Sequence, residues 1–135
     1  MPKIPTEPMA TTPHERAEAE LIAYGLTLPE TETRYGWVMT RTLRVKDRLF
    51  AIFGDKAQPL DELTLVFKLP ISRDMVSDLY FIRESRGWYR QHDWVIAHFG
   101  PADDILAEME TLKAWLRQSY VAVAPKRLGL ALSQG

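Results

Sequence analysis

The stretch Gly87–Leu128, GWYRQHDWVIAHFGPADDILAEMETLKAWLRQSYVAVAPKRL, decides the fold. Its Asp93–Phe99 segment alternates, with Val95, Ala97 and Phe99 on one side and Trp94, Ile96 and His98 on the other. A period of two predicts a strand. Gly100-Pro101 ends it. Pro101 fits a first helical turn, and Asp103 and Asp104 sit favourably near a positive helix N-terminus. Ile105, Met109, Leu112, Leu116, Tyr120 and Val123 then recur three and four apart, one stripe of a helix, with Lys113 and Arg117 on its polar side. Pro125 biases Ala124 away from helical geometry, so the helix stops near Val123.

Outward from this stretch, the remaining elements follow the same rules. Residues 1–12 carry Pro2, Pro5 and Pro8 without periodicity and read as a flexible arm. Thr12-Pro13-His14-Glu15 is a capping box with proline at the first helical position. The helix it opens runs to about Tyr24, with Ala17, Leu21 and Tyr24 on one stripe and Gly25 as its stop. Pro29–Trp37 reads as a polar connection. Strands are predicted at Thr40–Lys46, Leu49–Phe53 and Leu63–Leu69, joined by a tight turn at Lys46-Asp47 and a longer loop over Gly54–Asp61. Ser72 is placed to cap a second helix, with Ile71 stapling against Val76 and with Met75, Leu79 and Ile82 as its buried stripe. A short strand around Trp88–Arg90 follows. Residues 129–135 read as a flexible tail, and 13–128 as a single domain.

Alternation in the strands, rather than continuous apolar runs, implies a mostly antiparallel sheet with one covered face. The expected architecture is therefore a two-layer α+β domain, α-β-β-β-α-β-β-α, with five strands and the helices on one face.

Composition narrows the class. The chain has 135 residues, 46% of them hydrophobic and 26% charged, which suits one globular domain. With no cysteine, disulfides, thiolate metal sites and cysteine nucleophiles are excluded. No apolar run approaches the roughly 20 residues of a membrane span, and the N-terminus lacks a signal peptide's apolar core, so a cytoplasmic protein with no membrane partner is expected. The net charge of −1 argues against indiscriminate coating of nucleic acid. The charge is uneven. Residues 40–56 hold Arg41, Arg44, Lys46, Arg48 and Lys56 against Asp47 and Asp55, while residues 1–34 hold three basic and six acidic side chains. A local basic face and a solvated sheet face protected against aggregation both fit this pattern.

Taken together, Leu28-Pro29-Glu30, Leu43-Arg44-Val45-Lys46 leading into Leu49-Phe50-Ala51, Leu65-Val66-Phe67-Lys68-Leu69, the Trp88-to-Trp94-Val95 segment, and Ser119-Tyr120 followed by Ala124-Pro125-Lys126-Arg127-Leu128 give the chain its resemblance. In their order and spacing, over about residues 20–128, the chain resembles the MmcQ/YjbR family of small bacterial proteins. The resemblance implies a fold like that of secretion chaperones and a DNA-binding role through a double-wing arrangement; because catalytic motifs are missing, a non-enzymatic accessory protein without cofactor is expected. The family's Trp-Gly pair before the first strand is replaced here by Tyr35-Gly36-Trp37.

Two surfaces are candidates for function. Arg44, Lys46, Arg48, Lys68, Arg90, His92, Lys126 and Arg127 are the residues to meet duplex DNA, with weak, salt-dependent affinity. The interleaving of aromatic and basic side chains from Arg83 to Trp94 could stack bases and pair phosphates; core or interface packing of Trp88 and Trp94 is the competing reading. Trp88, Trp94, Ile96 and His98 form the second candidate, a contact surface on the sheet's open face that fits a homodimer and makes a protein-interaction module the alternative to DNA binding. Catalytic signals are weak. The chain has no HExxH, no Gly-x-Ser-x-Gly elbow and no GxxxxGK[ST] loop. His98 with Asp103 and Asp104 is a poor metal set beside the reading of helix-capping acids. Ser119-Tyr120 reads as structural, with the tyrosine ring buried and its hydroxyl hydrogen-bonded.

Overall fold

The structure, a computed structural model, describes residues 12–35, 40–54, 59–84 and 87–134, the last four of these by backbone alone. Its elements are α1 (Pro13–Leu26), β1 (Thr31–Tyr35), β2 (Arg41–Val45), β3 (Arg48–Phe53), β4 (Leu63–Lys68), α2 (Arg73–Val76), β5 (Ile82–Arg83), α3 (Gly87–Gln91), β6 (Trp94–Phe99), a 3-10 turn (Ile105–Glu108), α4 (Met109–Val123) and α5 (Lys126–Gln134). The six strands form one sheet in the order β1-β2-β3-β4-β6-β5, antiparallel throughout. The class is α+β.

Local chemistry sets each boundary. Thr12 caps α1, its hydroxyl accepting from the Glu15 amide while the Glu15 carboxylate accepts from the Thr12 amide. Lys46 and Asp47 both take positive φ, 52° and 69°, as a two-residue hairpin turn between β2 and β3 requires. In β4 and β6, alternation turns Leu63, Leu65 and Phe67 with Val95, Ala97 and Phe99 toward the helices. A register step between Leu43 and Arg44 makes room in β3 for both Phe50 and Ala51 to face the core. The α4 stripe of Met109, Leu112, Leu116 and Tyr120, with Ile105 before it, is buried against the sheet and α1. Each such large apolar side chain contributes about 1.5–3 kcal/mol on burial. The helix ends at Val123, with Ala124 extended at ψ 152° before Pro125.

The structure departs from the expected architecture in several places. The sheet has six strands, not five, because Thr31–Tyr35 pairs with β2 where a connection was expected. Residues Gly87–Gln91 form a helix, not a strand, and this helix packs on the face of β6 opposite the core, so the helices do not all share one face. Around α2, Val76 and Phe81 are the buried apolar residues, whereas Met75 is 79% exposed and Leu79 also lies outside. The Ser72 hydroxyl donates to Gln118 instead of capping α2, and Ile71, 87% exposed, forms no staple. Lys126–Gln134, with Leu128 buried, is helical where a tail was expected after Leu128. The arm expected over residues 1–12 lies outside the described residues except for Thr12.

Candidate functional site

The side of the sheet away from α1 and α4 carries Thr42 and Arg44 from β2, Leu49 and Ile52 from β3, Thr64, Val66 and Lys68 from β4, and Trp94, Ile96 and His98 from β6. The predicted facing of β6 is therefore correct. What covers Trp94 is α3. Trp88 lies over the Trp94 ring with centroids 6.0 Å apart, His92 tilts against Trp88 at 4.9 Å, and Lys68 Nζ stands 6.0 Å from the Trp94 ring centre. Arg73 holds this helix in place: its guanidinium donates to the Arg90 carbonyl at 2.7 Å and pairs with Asp93 at 3.0 Å. Trp94 is consequently buried within the single chain, while Trp88 remains 54% exposed.

Between α3 and strands β2 and β3 lies a cleft of about 290 Å3, lined by Thr40, Thr42, Arg44, Leu49, Ile52, Trp88 and Tyr89. The register opposes Glu32 to Arg44 and Arg34 to Thr42, so the two β1 side chains border the same face. Arg34 engages both Glu32 and Asp47, which raises its already high pKa through those hydrogen bonds. Among the described residues Arg44 makes one long hydrogen bond, 3.4 Å to the Asp47 carbonyl, and its Nε is buried without an acceptor.

The basic candidates divide into separate places. Lys46 and Arg127 converge on Glu30, at 3.0 and 3.4 Å, and the Lys46 hydrogen bond, with Arg127 adding, holds the Glu30 carboxyl below its ordinary range. Arg48 donates to the Val123 carbonyl at the end of α4. Lys126 is exposed at the start of α5. Lys68 and His92 stand beside the Trp88–Trp94 stack. Arg90 lines a different cleft, of about 390 Å3, with Arg73, Arg83, Asp74 and Glu84. Arg44 alone of the eight lies in the cleft beneath α3.

His98 bridges a hydroxyl and a carboxylate: Thr64 Oγ1 is 2.9 Å from Nδ1 and Glu62 Oε1 is 3.3 Å from Nε2. The chain of three could relay a proton, but Thr64 and His98 are cross-strand partners whose bond ties β4 to β6. Asp103 and Asp104 are spent on local amides, those of Gly100 and Ala107. Among the described residues, no three His, Asp or Glu side chains gather into a group able to hold a metal ion. No described helix is long and apolar enough to cross a membrane. Ser119 and Tyr120 are both structural. The Ser119 hydroxyl accepts from the Lys68 amide at 2.8 Å and donates to the Phe50 carbonyl; the Tyr120 hydroxyl donates to the Pro29 carbonyl at 2.8 Å.

A surface that the sequence reading placed inside is the more unusual one. Ile71, Met75 and Leu79, spaced by four, stand outward beside Tyr80, also exposed. Next to this ridge is a groove of about 270 Å3 between Pro70, Ile71 and the Arg117, Gln118, Val121 and Ala122 side of α4. The signal was present as a helical period; what it could not reveal is that α2 turns its Val76 side inward.

No protein-family model matches the chain, and no curated protein matches its sequence.

Proposed function

We propose that this protein is a non-enzymatic interaction module that pairs with a second copy of itself through the α2 ridge and the adjoining groove. The observation that carries this reading is the exposure of Ile71 and Met75, 87% and 79%, close together in the chain at α2. A large apolar side chain left in water forgoes about 1.5–3 kcal/mol. A ridge lying beside a groove on one surface is self-complementary: about a two-fold axis, each copy's ridge can enter the other's groove. With a net charge of −1, no long-range repulsion opposes this. The secretion-chaperone-like fold implied by the family resemblance points the same way.

What supports this reading over duplex DNA is the distribution of cations. Arg44, Lys46, Arg90 and Lys126 belong to four different elements or turns, and Lys46 already has a carboxylate partner. A duplex needs several phosphates met along one face. The chain has no cysteine, so Met75→Cys supplies a single thiol. A flexible bis-maleimide should link two copies through it, while Glu32→Cys, on β1 at the far edge of the sheet, should not be linked. Equal cross-linking of both variants, or of neither, counts against the proposal.

A further inference from the structure

The cleft beneath α3 is separate from the α2 ridge and the groove beside α4, and it has the chemistry of a ligand site. We infer that it binds a small aromatic carboxylate.

The anionic part of the ligand follows from Arg44. Its Nε–H is buried and finds no acceptor, and the hydrogen bond it makes among the described residues is to a backbone carbonyl 3.4 Å away. A buried donor of a charged group left unmatched is costly, and native structures rarely keep one without a purpose. The neighbouring carboxylates do not serve it. Glu32, directly across the ladder from Arg44, and Asp47, in the adjoining turn, are both engaged by Arg34. A guanidinium presents a planar fork of donors that a carboxylate fits with two parallel hydrogen bonds.

The aromatic part follows from the walls. Leu49 and Ile52 lie on one side, and the rings of Trp88 and Tyr89 on the other, both partly exposed. Such a slot favours a flat apolar body, because aromatic rings stack offset or edge-on with a gain beyond simple burial. The volume of about 290 Å3 lies just under the range of about 300 to 1,000 Å3 usual for ligand pockets. That size suits one or two fused rings. A single-stranded nucleic acid would instead need a track of cations following its backbone, and this cleft has one guanidinium.

The test is a titration of the full chain followed by amide and indole N–H resonances, with 2-naphthoate as probe, 2-naphthamide as its uncharged control and a short oligothymidylate as the nucleic-acid arm. The expected result is saturable shifts from 2-naphthoate confined to Thr42, Arg44, Leu49, Ile52 and the Trp88 indole, with the amide roughly tenfold weaker or worse, as loss of a charge-assisted pair implies. Arg44→Gln should reduce naphthoate binding to the level of the amide, and Arg44→Lys should restore only part of it, since the charge returns without the fork. The inference is overturned if naphthoate gives no saturable shift, if acid and amide bind alike, or if Arg44→Gln binds naphthoate as well as the parent does. It is also overturned if oligothymidylate moves these resonances and naphthoate does not, which would assign the cleft to nucleic acid. Should Arg44→Gln fail to fold, the comparison of acid with amide on the unmodified chain decides the matter.

Discussion

The indole of Trp88 lies nearly parallel to that of Trp94, with planes 22° apart and centroids separated by 6.0 Å. This one contact changes the meaning of the open sheet face. A tryptophan beside Ile96 there needs cover, and the chain provides it from its own α3, with Arg73 clamping the helix from behind. The face therefore presents a cleft bordered by aromatic rings, and a second subunit is not required to bury Trp94.

Removing the Trp88 ring should uncover Trp94. Trp88→Ala is expected to lower stability by about 0.5–1.5 kcal/mol, the usual worth of an aromatic pair beyond area burial. The Trp94 indole N–H should exchange with water faster, and amide exchange should quicken over Gly87–Gln91 while β4 and β6 keep their protection. An unchanged Trp94 indole exchange rate together with unchanged stability would mean that α3 does not cover Trp94 in solution.

Ser119, on α4, takes the place of a ladder hydrogen bond between β3 and β4. The β3–β4 ladder runs from Phe53↔Leu65 to Ala51↔Phe67, and beyond it the Ser119 hydroxyl joins the Lys68 amide to the Phe50 carbonyl. Ser119→Ala leaves both backbone groups unmatched in a buried site, so urea unfolding should register a loss of about 1–3 kcal/mol with little change in the slope. A loss within about 0.5 kcal/mol, typical of a surface change, would refute that role.

Glu18 gives a pH-dependent prediction. Burial pushes its carboxyl pKa up, with Glu15 adding to the effect and Arg41 opposing it. A carboxyl whose pKa is higher folded than unfolded binds more protons in the folded state, so stability falls as pH rises through its folded pKa, and the full penalty applies at neutral pH. Glu18→Gln should therefore raise Tm at pH 7. The gain should shrink toward zero as the pH drops below the ordinary glutamate value of about 4.3. A variant less stable than the parent at pH 7 would show that the attraction of Arg41 outweighs burial.

Much of this architecture is legible in the residues, and the exceptions have physical reasons. The capping box at Thr12, the Lys46-Asp47 turn, the alternation of β4 and β6 and the α4 stripe are each set by local rules, and the structure keeps them. β1 escapes notice because Thr-Glu-Thr-Arg-Tyr, exposed along most of its length at the sheet's edge, carries no apolar alternation. Its clue was the β-branched or aromatic residue at every second position. α3 is too short for a helical period, and its Trp and Tyr favour strands in isolation; packing on Trp94 overrides that preference. Ile71, Met75 and Leu79 show a true period of four, but period alone does not say which side of a four-residue helix meets the core. Pro125 marks the end of α4 and equally the start of α5, a second role that the stop signal obscures. As for the sites, the aromatic-basic segment is visible in the sequence. The orphaned Nε of Arg44 appears only when Arg34 is seen to hold both nearby acids.

Pairing of two copies through the proposed α2 ridge would show in sedimentation equilibrium. The weight-average mass of the parent should climb with concentration from the 15.5 kDa of one chain toward twice that value. Few side chains make up the ridge, so the pairing belongs to the weak, transient class of interface and the rise should come at high protein concentration. Ile71→Asp and Met75→Asp should each stay at the monomer mass with Tm undiminished, since neither side chain belongs to the core. A parent that remains a monomer throughout, or variants that assemble as strongly as it does, would show that the ridge does not join two copies.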